Sequence, residues 1–483
     1  MDSQPGGERT ARSGGGERDV RQVKQELSPR ERRVFVELPA IRAVLTLALP
    51  TILGQLITVI YNFADTYFVG RPKDPAMVAA IAICMPLMLI MTGMANLFGV
   101  GGSSLIARCL GRQEFQKARQ TSAFCVWACG AVAVGYALAL FLLQDTVLGL
   151  LGADGTTLEY CRSYLFWVCV VGGLPTILSS LLAHLVRSEG AAKEASFGLS
   201  LGAVLNIGLD PLFMFVLLPP GREVAGAAVA TMLSNLAAAL YYIVYIVRRR
   251  KNSVLSLDPR DVSVGAHIPG DVLSIGLPSF LMTILSSVSN ATVNNLISSA
   301  SSTAVAGMGI GKKVNMISFR VSTGITQGSL PLIAYNHAAG DYRRMRQSIL
   351  SAAGIAVGFA LVCMCAALLF GGQFVRFFID DPATVEYGRQ FVRIVCVAMP
   401  LASASMTVMM LFQAAARKAQ ATVLSILRKG VLDIPLMFVL NEVWPIYGVA
   451  CATPIAEVIS CALAVVLAVR FLKSLGGGDA AKF

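Results

Sequence analysis

The chain has 483 residues, of which 55% are hydrophobic and only 14% charged. Soluble domains carry about 25% charged residues, so a mean hydropathy of +0.67 excludes an ordinary soluble protein. The net charge of +12 fits basic loops beside anionic lipid better than nucleic-acid binding.

Residues 1–40 are Gly- and charge-rich at the start and have no apolar leader segment. They predict a largely disordered cytoplasmic tail with no cleavable signal. Apolar runs follow at 41–69, 77–109, 121–151, 159–185, 195–218 and 224–247. A basic cytoplasmic linker, 248–269, separates them from runs at 270–299, 303–337, 348–370, 388–414, 420–440 and 446–472, and 473–483 form a short tail. Each run can cross a hydrocarbon core about 30 Å thick as a helix. The runs are continuous and do not alternate, which argues against a barrel. The predicted fold is therefore all-α and integral to the membrane, with twelve transmembrane helices.

The connections after the even-numbered runs are basic (RCLGRQEFQKAR, RSEGAAK, RRRK, GDYRRMR, ARK), whereas the others are mixed or acidic. The positive-inside rule then places both termini in the cytoplasm. The halves repeat one another. Pro50 pairs with Pro278 and Asn62 with Asn290, both at a shift of 228. Pro175 pairs with Pro400, LDPLFMFV from Leu209 with LDIPLMFVL from Leu432, and GAAVAT from Gly226 with GVACAT from Gly448. Two lobes, 41–247 and 270–472, each with an even number of crossings, enter the membrane in the same direction. Such a parallel repeat encloses a central cavity and suits a transporter.

Carboxylates inside a span are costly and mark function by default. Four stand in the runs: Asp65, Asp210, Asp433 and Glu457. Tyr61 lies one turn before Asp65, and Pro50 lies 15 residues before it, about 22 Å along a helix. That proline can bend the span. Asn206 lies one turn before Asp210, Pro211 directly after it, and Thr231 can add a hydroxyl from the next span. Carboxylate, amide and loosened carbonyls are good ligands for a small hard cation. In the second half Val293 stands where Asp65 stands in the first, and Lys429 precedes Asp433 by one turn. A Lys–Asp pair can neutralise itself, and Glu457 can partner Arg428 or Lys429. The cation-coupling site is therefore expected in the first half, at Tyr61, Asp65, Asn206, Asp210 and Thr231, as a possible Na⁺ site. Lys429, Asp433 and Glu457 are candidate substrate contacts. The eleven cysteines lie mostly in apolar runs without a CxxC spacing and read as small core residues. FGVGG at 98–102 lies within a span, where small residues allow close helix packing and do not cradle phosphate.

YNFADTYFVG, GVGGSSLIARCLGR, RSEGAAK with LNIGLDP, and TQGSLPLIAYNHAAGDYRR together resemble the multidrug and toxic compound extrusion (MATE) family, in its bacterial multidrug-efflux branch, over about 41–472. The resemblance implies a V-shaped, two-lobed antiporter that exports organic, cationic drugs or metabolites in exchange for inward H⁺ or Na⁺ by alternating access. It places the functional positions of an amino-lobe site on Asp65, Asn206, Asp210 and Thr231, beside Tyr61, and the bending proline on Pro50. Many members carry an Asn where this chain has Ala183, followed by His184. Another branch uses an acid on span 7, and SSVSNATVNNLISSA has none. The expected setting is the plasma membrane. The expected partners are a small-molecule substrate and lipids, with no nucleic acid, no cofactor beyond the coupling ion, and a functional monomer. The rival readings are a lipid-linked saccharide flippase of related fold, which would need a larger and more basic cavity, a membrane enzyme, and a non-transporting scaffold or receptor.

Overall fold

A computed structural model describes residues 26–72, 74–265, 267–298, 302–378 and 381–476. Most of both tails, 1–40 and 473–483, lies outside the described residues. Among those described there is no strand.

Twelve long helical segments carry the chain. In the first half they are α1 (Ala40–Gly70), α2 (Pro75–Gly111), α3 (Phe115–Leu150), α4 (Leu158–Val171 and Gly173–Ser188), α5 (Ala192–Leu217) and α6 (Glu223–Arg248). In the second half they are α7 (Ile268–Ser298), α8 (Ser302–Ala338), α9 (Tyr342–Phe378), α10 (Pro382–Ala414), α11 (418–443) and α12 (Tyr447–Gly476). Each coincides with one of the apolar runs. Nine are long and apolar enough to cross a membrane, and α4 becomes a tenth if its two parts, bent by 48°, form one span. The remaining two are α8 and α11. Their apolar character is interrupted by Lys312, Lys313 and Arg320 in α8 and by Arg428, Lys429 and Asp433 in α11. The two least apolar segments thus bring Lys312, Lys313, Arg320, Arg428, Lys429 and Asp433 into the second lobe.

The linker is tied down. Val254 and Leu255 are buried. Ser253 Oγ donates to Glu189 Oε1 at 2.7 Å, and the Val254 amide donates to the same carboxylate at 2.5 Å. Arg119 Nε meets Asp261 Oδ2 at 2.7 Å, and Trp127 Nε1 donates to the Leu257 carbonyl at 3.0 Å. The connection therefore straps α3 and α4 at the end of the bundle where α1 begins.

The lobes meet along two seams that glycine makes possible. Gly276 of α7 lies against the Leu97 carbonyl of α2, and Gly101 of α2 lies against the Val272 carbonyl of α7. Across α1 and α8, a Cβ on Gly324 would lie 2.8 Å from Ile52 Cα, and one on Gly328 would lie 2.8 Å from Ala48 Cα. Small residues let helix backbones approach where lipid supplies no hydrophobic drive. Polar contacts reinforce the seam: Ser104 Oγ donates to the Gln413 carbonyl at 2.8 Å, and Gln413 Nε2 donates to Ser279 Oγ at 2.8 Å. These contacts involve the early parts of α1 and α7 and the late parts of α2 and α8. They hold the lobes together at the end that carries the linker.

A Gly276→Ala substitution forces Cβ into the Leu97 carbonyl. It should cost about 1–3 kcal/mol, seen as a lowered melting temperature in detergent. Gly208 faces open space, so Gly208→Ala should leave that temperature unchanged or slightly raised. Equal melting temperatures for both variants would show that the seam is not tight.

Candidate functional site

A cavity of about 900 Å³ lies between the lobes and is lined from both. Eight methionines line it, among them Met282, Met316 and Met406. Unbranched, polarizable side chains re-pack around ligands of different shape, so the wall suits promiscuous binding.

In the first lobe the structure brings the five predicted side chains together. Asn206 and Asp210 share one face of α5, a turn apart. Asn206 Nδ2 donates to Thr231 Oγ1 at 3.3 Å. Tyr61 lies within electrostatic reach of Asp65 and Asp210 and beside Thr231, and Asp65 in turn acts on Asp210. Asp210 is fully buried. Both of its carboxylate oxygens, together with Asn206 Oδ1, lack a hydrogen-bond partner. Tyr61, Asn206 and Thr231 line the cavity, while Asp65 and Asp210 do not. Asp210 therefore sits behind a polar wall, and Asp65 is half-buried outside the cavity lining. Pro50 lies elsewhere on α1, beside the α8 seam, and α1 runs unbroken through it.

The second lobe holds the same positions in a different state. The repeat shifts map Tyr61 to Ser289 (61 + 228), Asn206 to Lys429 and Asp210 to Asp433 (both + 223), and Thr231 to Thr453 (231 + 222). Here the acid is fully satisfied. Lys429 Nζ donates to Asp433 Oδ2 at 2.9 Å, Ser289 Oγ donates to Oδ2 at 2.7 Å, and Thr453 Oγ1 donates to Oδ1 at 2.9 Å. Val293, at the Asp65 position, is buried in an apolar cluster. Glu457 accepts from Arg428 Nε at 2.8 and 2.9 Å and lies 4.0 Å from Lys429 Nζ. Of the two partners open to Glu457 in the sequence, the structure selects Arg428. Ser289 and Thr453 escaped the sequence reading, although the repeat offset points to both.

Sequence reasoning also missed cations that line the cavity: Lys312, Lys313 and Arg320 of α8, and Arg187 of α4. The rule applied to carboxylates inside spans covers Lys and Arg equally and would have found them. At the departure noted near span 4, His184 Nδ1 lies 3.3 Å from Arg187 Nη1, and its ring packs against Gly99. Arg187 Nε and Nη2 are buried without a partner.

Two membrane-embedded lobes around a shared polar cavity define a transporter. The MatE family model matches this chain twice, at residues 50–212 and 278–439, so the matches begin at Pro50 and Pro278. The multidrug export protein MepA of Staphylococcus aureus is 31% identical over 442 residues, which is 91% of this chain and 95% of that protein. A solved outward-facing multidrug resistance MATE transporter superposes with a TM-score of 0.86 at 22% identity, covering 93% of this chain and 99% of that one. A MATE structure in a bent conformation gives 0.85 at 22% identity, over 94% and 100% of the two chains. The chain belongs to the MatE family of multidrug efflux transporters.

Removing one partner from the buried Arg428–Glu457 pair strands a charge, a change worth about 3–5 kcal/mol. Glu457→Gln should therefore lower the melting temperature sharply, and Arg428→Met with Glu457→Leu should recover most of the loss. A double variant no more stable than Glu457→Gln would indicate that the pair does more than balance charge.

Proposed function

We propose that the protein is a secondary antiporter that exports organic amphiphiles in exchange for inward H⁺ or Na⁺, with the coupling site at Tyr61, Asp65, Asn206, Asp210 and Thr231. One observation carries the reading. Three buried acceptor oxygens in the first lobe, two on Asp210 and one on Asn206, lack a donor, while the matching acid in the second lobe has three. Lys429 supplies in one lobe the positive charge that the other must take from outside. Buried acceptors without donors are costly, and a proton or a hard cation relieves that cost. The donor set, carboxylate and amide oxygens with hydroxyls of Thr231 and Tyr61 nearby, suits a sodium ion, and the carboxylates alone suit a proton.

Alternating access follows from the seams. With the linker end cytoplasmic, as the loop charges suggest, the glycine contacts close the cavity on the inside and leave it facing out. Binding of the cation relieves repulsion between Asp65 and Asp210. Because α1 carries Asp65 at one end and the α8 seam near Pro50 at the other, a bend at Pro50 can transmit the change. The setting is the plasma membrane, with the monomer as the working unit and lipid around its apolar faces.

In proteoliposomes, Asp65→Asn or Asp210→Asn should reduce gradient-driven dye exchange at least about 100-fold, with the protein still inserted. Wild-type exchange in the double variant would overturn the site. Asn206→Lys places in the first lobe the ammonium that Lys429 provides in the second. It should give a stable but uncoupled protein. Imposing a Na⁺ gradient at constant pH, and then a pH gradient without Na⁺, identifies the ion.

A further inference from the structure

The cavity's charge points away from the cationic substrate that the family resemblance implies. Among the described residues, six cations and one acid line it. The acid, Glu457, is held by Arg428. Lys429 is held by Asp433, which lies behind the wall. Counting the three Asp residues outside the lining as ionised leaves six positive against four negative charges, a net of +2.

Lys312 and Arg320 face neutral amide partners. Lys312 Nζ donates to Asn294 Oδ1 at 3.0 Å. Arg320 Nη1 makes a long contact, 3.4 Å, to Gln55 Oε1, and Gln55 in turn donates from Nε2 to Gln327 Oε1 at 3.2 Å. Arg320 lies 18 residues into the 37-residue helix α8, about 27 Å from its start. That is mid-span, too deep to be a loop charge that sets topology. Lys312 lies eight residues earlier on the same helix, about 12 Å away. Arg187, 1% exposed and also lining the cavity, has two guanidinium nitrogens without a partner. A cation within the bilayer is costly and persists where it meets a partner or serves a ligand. Guanidinium and ammonium donors in a cavity whose wall also carries eight methionines match a carboxylate or phosphate carried on an apolar body.

Resting on the exporter reading above, we propose that the central cavity binds dissolved organic anions, amphiphiles with a carboxylate or phosphate group, through Lys312, Arg320 and Arg187. The apolar body lies against the methionines, and the oxyanion replaces the neutral amides that now face Lys312 and Arg320. A substrate of this class places its charge on Lys312 and Arg320 of α8 and Arg187 of α4, side chains distinct from the first-lobe acids Asp65 and Asp210.

The test uses two xanthene dyes of one scaffold and opposite charge, fluorescein and rhodamine 6G, with the purified full-length protein. Binding is read by fluorescence anisotropy and exchange in proteoliposomes. Fluorescein should bind at least tenfold tighter than rhodamine 6G. Arg320→Gln or Lys312→Gln should each erode that ratio about tenfold, the scale of one charge-assisted hydrogen bond. Arg320→Lys should restore part of it, which excludes misfolding as the cause. No preference for fluorescein, or a preference unmoved by both Gln variants, overturns the proposal. Transport of rhodamine 6G with no binding of fluorescein overturns it while leaving the exporter reading intact. Charge-dependent fluorescein binding without exchange of either dye upholds it and overturns the exporter reading. A tail-labelled phosphate lipid in the vesicle wall separates the sources of the anion: its movement across the bilayer, without binding of fluorescein, assigns the cations to a lipid and overturns the dissolved substrate.

Discussion

A carboxylate removed from water needs a positive partner, and both lobes are arranged around that need. Duplication placed an acid at the same point of each, Asp210 and Asp433, one turn after a polar residue and opposite a threonine of the last helix in its lobe. In the second lobe the polar residue is Lys429, and its ammonium closes the cage with Ser289 and Thr453. In the first it is Asn206, which brings no charge, and Asp65 stands in place of Val293. One cage has an internal cation and the other adds a second acid. An internal cation already neutralises the second cage, so under the proposed coupling the first cage is the one that takes the ion. The second becomes a fixed element of the cavity wall.

The seams turn that difference into a position for α1. At its start the helix packs on α8 of the other lobe, where Gly324 and Gly328 admit Ile52 and Ala48. A little further on, Gly54 packs against Ser196 of its own lobe, where an added Cβ would lie 3.4 Å from Ser196 Cβ. Beyond that it carries Tyr61 and Asp65. A helix held by both lobes at one end and carrying the proposed coupling acid at the other is an element whose equilibrium both can bias. Pro50 leaves the Thr46 carbonyl without its intrahelical donor at the point where the seam begins. The cost of bending is lowest there.

Much of this was legible in the sequence, for physical reasons. Long apolar runs permit one structure in a bilayer, so the twelve helices emerge at the expected places. The carboxylates stood out because acids are rare in spans, and helical spacing joined Asn206 to Asp210. Contacts across distant segments were not legible. Arg428 and Lys429 both point at Glu457 in one dimension, and side-chain geometry decides between them. The strap from Glu189 to Ser253 spans 64 residues, with no local signal. The cations of α8 stand in the sequence but were missed: Lys and Arg ordinarily report topology, and only depth within a 37-residue helix distinguishes these.

The sign of the electrostatics constrains how a cavity of this charge can work. For a cationic substrate, an ion entering at Asp65 and Asp210 makes the cavity more positive and expels the substrate by direct competition. For an anionic one the same event strengthens attraction, so direct competition would oppose exchange. Antiport of anions must then run through conformation: cation binding has to shift α1 and open or close access before its field is felt at Arg320. The placement of the acids is consistent with this division. Neither lines the cavity, whereas Lys312, Lys313 and Arg320 of α8 do. Screening by intervening polar groups weakens the long-range field, and the helix that joins the two regions supplies the remaining link. A transporter built in this way can leave its coupling ion unchanged while the cavity wall alters to take substrates of either sign.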